Sequence, residues 1–255
     1  MQMKSCARSM AALLLVLTLA GASFAQSAPR AYAVVSEVAR QVRVVTFQAQ
    51  TGTRFNANLV QIVNVPNNEL DTVFLLGSQK LLKQASPAAD IWLLATADSD
   101  FFAPSGFEDG APVKMPDDLA AALRERKSTH LLVFTRHKSE AYMKFREAVE
   151  GVGTLEGLGW YVDTSMSVRD LDTGDTGAGF MASYTHFRAT LIDIAASRVV
   201  KTLTTRANRI NIAGVNAKGN HPWSALSATE KMTQLRDLVL AELDRLVPEL
   251  INAKP

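Results

Sequence analysis

"MASYTHFRATLIDIAASRVVKTLTTRA", residues 181 to 207, reads as a long antiparallel hairpin, which points to a largely antiparallel sheet. Phe187, Ala189 and Leu191 alternate with His186, Arg188 and Thr190, so one set faces a core and the other faces away. Ala195, Ala196 and Ser197 interrupt the pattern and place the turn. Beyond them Val199, Lys201 and Leu203 alternate with Val200, Thr202 and Thr204, a second strand with the same period.

The flanks of the hairpin supply helices. Upstream, "PDDLAAALRERK" (116–127) predicts a helix, with Asp117 as its cap and Arg124, Arg126 and Lys127 at the carboxyl end, where the dipole favours cations. It runs into "THLLVFTRHK" (129–138), an apolar strand, and Arg136-His137-Lys138 reads as that strand's solvated end. Downstream, Ser227 and Glu230 fit a capping box, and Leu235, Leu238, Val239, Leu243 and Leu246 form one stripe that should dock on the sheet. Pro248 is expected to end this helix, and His221-Pro222-Trp223 before it to plug one end of the core.

Nearer the start, "AYAVVSEVARQVRVVTFQAQTGT" (31–53) holds two β-branched runs, Ala33 to Val38 and Val42 to Phe47, as a hairpin or two successive strands. "NLVQIVNVP" (58–66) predicts a third strand stopped by Pro66. A helix follows, capped by Asn67 or Asn68, with Asp71 in its first turn. Its apolar face is Leu70, Val73, Phe74, Gly77 and Leu81, with Gly77 marking a close crossing over the sheet. "DIWLLAT" (90–96) predicts a buried strand, and the Pro- and Gly-rich residues 98–116 a loop, either a lip over a cleft or a surface excursion. The expected class is α/β or α+β: a mixed, largely antiparallel sheet packed by three helices in one layered domain.

That domain follows a leader. Lys4 and Arg8 precede an apolar run from Ala11 to Ala22, too short for the about 20 residues of a membrane span, and Ser23-Phe24-Ala25 offers a small-residue cleavage site. Residues 1–25 read as a signal peptide cut after Ala25, leaving 26–255 in the periplasm with no stable membrane span. Leu19-Ala20-Gly21-Ala22 carries alanine where a lipoprotein needs cysteine, and the single cysteine, Cys6, lies in the leader. Lys and Arg total 27 against 25 Asp and Glu; without Lys4 and Arg8 the balance is 25 to 25. A neutral domain without a basic run does not suit nucleic acid, whose affinity comes largely from phosphate neutralisation.

Several motifs resemble catalytic ones. "VRDLDTGDTGAGF" (168–180) spells D-T-G twice, but an aspartic protease needs two carboxylates about 3 Å apart from separate lobes or subunits. Asp172 and Asp175 are close in sequence within a glycine-rich segment, so the stretch reads as a hairpin end. "GVGTLEGLG" (151–159) lacks the spacing of a dinucleotide loop and reads as a mobile loop. His130 and His137 fall on opposite strand faces, and neither an H-E-x-x-H nor a G-x-S-x-G is present; no metal or cofactor is expected. Trp160 and Tyr161, between glycine-rich ends, read as a contact surface, with core filling as the competing role of Trp160. His186 and Arg188 read as a solvated strand face or an anion site.

Two of these passages resemble a known group. "FRATLIDIAASRVVKTLTTRA" (187–207) resembles the late hairpin of the CsgG, LpoB and TolB amino-terminal group of envelope proteins, where a strand ending in L-I-D precedes a short turn and a V-V strand. "LAAALRERKSTHLLVF" (119–134) resembles their helix leading into a strand. The resemblance implies a small layered α/β unit that binds other envelope proteins or assembles into pores. The chain departs from the group in lacking a lipoprotein cysteine, in carrying Ser197 where a turn glycine is usual, and in its amino-terminal strands. The leading expectation is therefore a non-enzymatic periplasmic protein that binds another envelope component, with Trp160, Tyr161, Tyr184, His186 and Arg188 as candidate contacts. The alternative is a periplasmic hydrolase or small-ligand binder using Tyr184, His186 and Arg188.

Overall fold

The computed structural model describes residues 30–49, 58–95, 107–145, 149–169, 174, 176–212 and 221–253. Residues 1–25, read from the sequence as a signal peptide, the first part of the long loop, and Asp172 and Asp175 lie outside them. In chain order the strands are β1 (Ala31–Glu37), β2 (Gln41–Thr46), β3 (Leu59–Asn64), β4 (Asp90–Leu94), β5 (His130–Arg136), β6 (Lys138–Glu140), β7 (Met143–Lys144), β8 (Val149–Glu150), β9 (Thr154–Arg169), β10 (Thr176–Asp193), β11 (Arg198–Thr204) and β12 (Ala207–Asn211). The helices are α1 (Glu69–Ala85), α2 (Asp117–Glu125) and α3 (Ala228–Ile251).

The hairpin's first arm, β10, organises the sheet. Its residues Met181–Thr185 pair with both β9 and β12, and Arg188–Asp193 with both β5 and β11. From β5 the sheet continues through parallel β1 to β4; from β9 it continues through parallel β2 to β3. Most pairings are antiparallel, so the predicted mixed α/β class holds. β1 and β2 do not pair with each other: they are successive strands in different wings. β1 is buried throughout, as a parallel strand covered on both faces must be. β4 is not the buried strand the sequence predicts. It pairs only with β1 among the described residues, and its Trp92 is an exposed ring under the Arg126 guanidinium at 4.4 Å.

Alternation along β1 and β5 assigns the two faces of their wing. Tyr32, Val34, Leu132 and Phe134 point to the core under α1 and α3; Ala33, Val35, Leu131 and Val133 point to a second core under α2. That second core is closed by Phe107 and Val113 from the long loop. The Asp109 carboxylate accepts from Thr202 N at 2.6 Å and pairs with Lys201 Nζ at 3.1 Å. Described residues 107–115 are thus a strap over a core, neither a lip nor a free excursion.

The helices meet the sheet largely as their stripes predict. Leu235, Val239, Leu243 and Leu246 are buried, and Ser227 and Glu230 close a capping box. Pro248 does not end α3, which continues to Ile251. Leu250 and Ile251 are buried, and the Arg30 guanidinium donates to the Ile251 carbonyl at 2.7 Å. Gly77 makes a close crossing over α3 rather than over the sheet: an added Cβ would lie 2.9 Å from Leu243 Cδ1. Asn68 holds the cap position of α1 without a side-chain cap bond, and Pro116, not Asp117, holds that of α2. Asp71 is buried. Its Oδ1 accepts from Ser36 Oγ at 2.5 Å, Val38 N at 3.2 Å and Ala39 N at 3.0 Å, so it fastens the turn between β1 and β2.

Two glycine-rich stretches resolve differently. Arg169 lies opposite Thr176 where β9 and β10 pair antiparallel, and Gly174 has φ 76; the rest of the D-T-G stretch before Thr176 lies outside the described residues. Residues 154–159 are strand, not loop. Gly159 lies opposite Arg43 of β2, where a Cβ would sit 1.9 Å from the Arg43 carbonyl oxygen; this glycine serves close strand approach.

Candidate interaction surface

The residues predicted to make contacts are mostly core. Trp160, Tyr161, Tyr184 and His186 are all buried. Trp160 meets Trp223 edge to face at 5.7 Å, and Lys231 Nζ covers the Trp223 ring at 4.1 Å, so residues 221–223 close that end of the core. Tyr161 accepts from Val152 N at 3.1 Å, and burial pushes its phenol up to about 12. Burial raises the Tyr184 phenol too.

Tyr184 and His186 do share a strand face, with ring centroids 5.4 Å apart, and Arg188 follows half-buried on the next alternate position. That face is not solvated. Ala141 and Met143 roof it around Tyr184, and Ser139 Oγ lies 2.8 Å from His186 Nδ1. Burial, then the neighbouring His137, holds the His186 imidazole down to about 4, so it is neutral at physiological pH. Alternation on β10 identified which residues share a face; it could not reveal that Ser139, Ala141 and Met143 cover it.

A hydroxyl against a neutral imidazole is the chemistry of a nucleophile and its base. Here the imidazole is sealed in the core. An open groove of about 380 Å³ lies elsewhere, between α1 and α3, lined by residues such as Val73, Leu76, Met232 and Arg236, and none of the predicted contact residues reaches it. Among the described residues no three His, Cys, Asp or Glu side chains converge as a metal set, and no helix is long and apolar enough to cross a membrane.

What the fold leaves bare is β3. Every residue from Leu59 to Asn64 is exposed, and Leu59, Val60, Ile62 and Val63 show between 41% and 58% of their surface. One edge pairs with β2; among the described residues no strand pairs with the other. Leu59, Gln61 and Val63 lie on one face, Val60, Ile62 and Asn64 on the other, so both faces carry aliphatic side chains. Proteins blunt open edges with charge, proline or bulges. β4, β11 and β12 contain Asp90, Arg198, Lys201 and Arg209, whereas β3 contains no charge. The strand is held firmly at its ends. Val65 N donates to the Arg40 carbonyl at 3.0 Å, and Asn58 Nδ2 donates to the Val152 carbonyl at 2.6 Å, bringing exposed Val152 beside the strand.

The sequence predicts this strand but not its place at an edge. An uncharged aliphatic run is ordinary in a covered strand. Its lack of a polar face becomes informative only once the topology puts it at an edge.

No protein-family model and no curated protein matches the chain. Solved structures give loose likenesses. A neuraminyllactose-binding hemagglutinin homologue from Helicobacter pylori is 8% identical with TM-score 0.40, over 86% of this chain and 87% of that one. A hypothetical protein from Chlamydia trachomatis is 10% identical with TM-score 0.36, over 89% and 100%. A DUF330 protein from Xanthomonas campestris is 10% identical with TM-score 0.32, over 85% and 87%.

Proposed function

We propose that this chain is a non-catalytic, exported binding domain that takes a strand of another envelope component onto the open edge of β3. The observation that carries the reading is the uncharged, doubly apolar, solvent-exposed β3. Strand addition draws affinity from main-chain hydrogen bonds along a free edge and selectivity from alternate side chains. The leader supports export, and the resemblance of residues 119–134 and 187–207 to the CsgG, LpoB and TolB amino-terminal group supports an envelope role. Burial of His186 speaks against a hydrolase built on Tyr184, His186 and Arg188.

Site-specific photo-cross-linking in the native envelope tests this. A photoreactive residue replacing Ile62 should give protein adducts, and one replacing exposed Asp244 on α3 should give none. Adducts from both positions alike, no adduct from position 62, or substrate turnover that depends on Ser139 or His186 would overturn the reading.

A further inference from the structure

We infer that the envelope component whose strand adds to β3 is a second copy of this chain, its β3 antiparallel about a two-fold axis midway between the two Gln61 residues; this rests on the strand-addition reading above. Asn58-Leu59-Val60-Gln61-Ile62-Val63-Asn64 is a palindrome by residue class. A two-fold axis perpendicular to the sheet keeps the same face up in both copies. Gln61 then faces its own mate, Val60 faces Ile62, Leu59 faces Val63, and Asn58 faces Asn64. Directly opposed side chains are the unit of sheet stabilisation, and here each meets its own kind. The two Gln61 carboxamides lie side by side, each offering a donor and an acceptor.

The neighbouring two-fold registers lose this match. Centred on Ile62, the pairing sets Gln61 against Val63 and Val60 against Asn64. Centred on Val60, it sets Leu59 against Gln61 and Asn58 against Ile62. Strand addition by an unrelated partner makes no use of a palindrome, whereas in self-pairing the palindrome sets like against like in one register. Electrostatics permits the pair as well. β3 carries no charge, and Arg43, across from Ile62 on β2, is already paired with Glu156 at 2.8 Å. A single short strand edge makes a small interface, so the dimer belongs in the micromolar range, on the order of 1–100 μM.

Single cysteines read the register. In a Cys6→Ser background the introduced thiol is the only one, because Cys6 is the sole cysteine. Under mild oxidation Gln61→Cys should cross-link to a dimer. Leu59→Cys should not cross-link to itself, since the two copies of that position lie four residues apart along the pair, about 13 Å. A mixture of Leu59→Cys and Val63→Cys chains should cross-link. Sedimentation should show a dimer weakened at least tenfold by Val60→Lys with Ile62→Lys, with unchanged circular dichroism. Equal cross-linking of Gln61→Cys and Leu59→Cys, or a wild-type monomer at about 100 μM, overturns the inference. A monomer whose position 62 still photo-cross-links to another protein leaves the strand-addition reading standing. A monomer without such adducts removes both.

Discussion

Folding changes the chemistry of His186. Its folded value of about 4 lies below the ordinary histidine range. As pH falls through about 6.5 toward 4, the unfolded chain takes up a proton that the folded chain refuses, so stability falls by up to about 3 kcal/mol. Asp71 and Glu37 act in the opposite sense. Burial raises both carboxyls, so the fold accepts their protons before the unfolded chain does and gains on acidification. Burial holds His130 and His137 down as well, so they add to the acid-side loss, and His186→Gln should reduce that loss in urea midpoints without abolishing it; an unchanged slope would show that the imidazole is not sealed. Two backbone positions give further tests. Gly159→Ala should cost about 3 kcal/mol or more in urea denaturation, because β2 must move off β9 to admit the Cβ. Ser197 has φ 49 in the turn where the envelope group usually has glycine. Ser197→Gly should raise stability, by up to about 1 kcal/mol, in the same assay.

At the scale of elements, the contrast is between β3 and the other edges. Because β3 side chains are already solvated, Val60→Lys with Ile62→Lys should shift folding stability by less than about 0.5 kcal/mol in thermal or urea melts, while removing the proposed contact. A large loss would mean that these side chains support the core. Which elements were legible in the sequence follows from how local their causes are. The Ser227–Glu230 cap, the stripe of α3 and the turn of the β10–β11 hairpin depend on residues a few positions apart, and the sequence predicts them. The edge position of β4, the strand at Thr154–Gly159 and the strap at Phe107–Val113 depend on distant pairing partners, and sequence reading misplaces all three. Pro248 shows a related failure: a local breaker is overridden where burial of Leu250 and Ile251 carries the helix on.

At the scale of the molecule, β10 joins two wings of different character. One wing, β5–β1–β4, is covered by α1 and α3 on one face and by α2 and the strap on the other. The other wing, β9–β2–β3, loses its cover toward its rim and ends bare. The candidate site was thus not legible where the sequence placed it. Aromatic and polar residues on β9 and β10 resemble a contact surface in one dimension, but the central strands of a covered sheet are where such residues become core. β3 at the rim, by contrast, stays exposed along its whole length. The proposed pairing uses the outer backbone edge of β3. Amide hydrogen exchange tests it most directly, comparing dilute purified chain with the same chain at high concentration and in envelope extract. Every second amide of residues 59–64, those that point away from β2, should exchange rapidly when dilute and become protected in at least one of the other two states, while the β4 edge at residues 90–94 does not change. Exchange at β3 that is the same in all three states would contradict it.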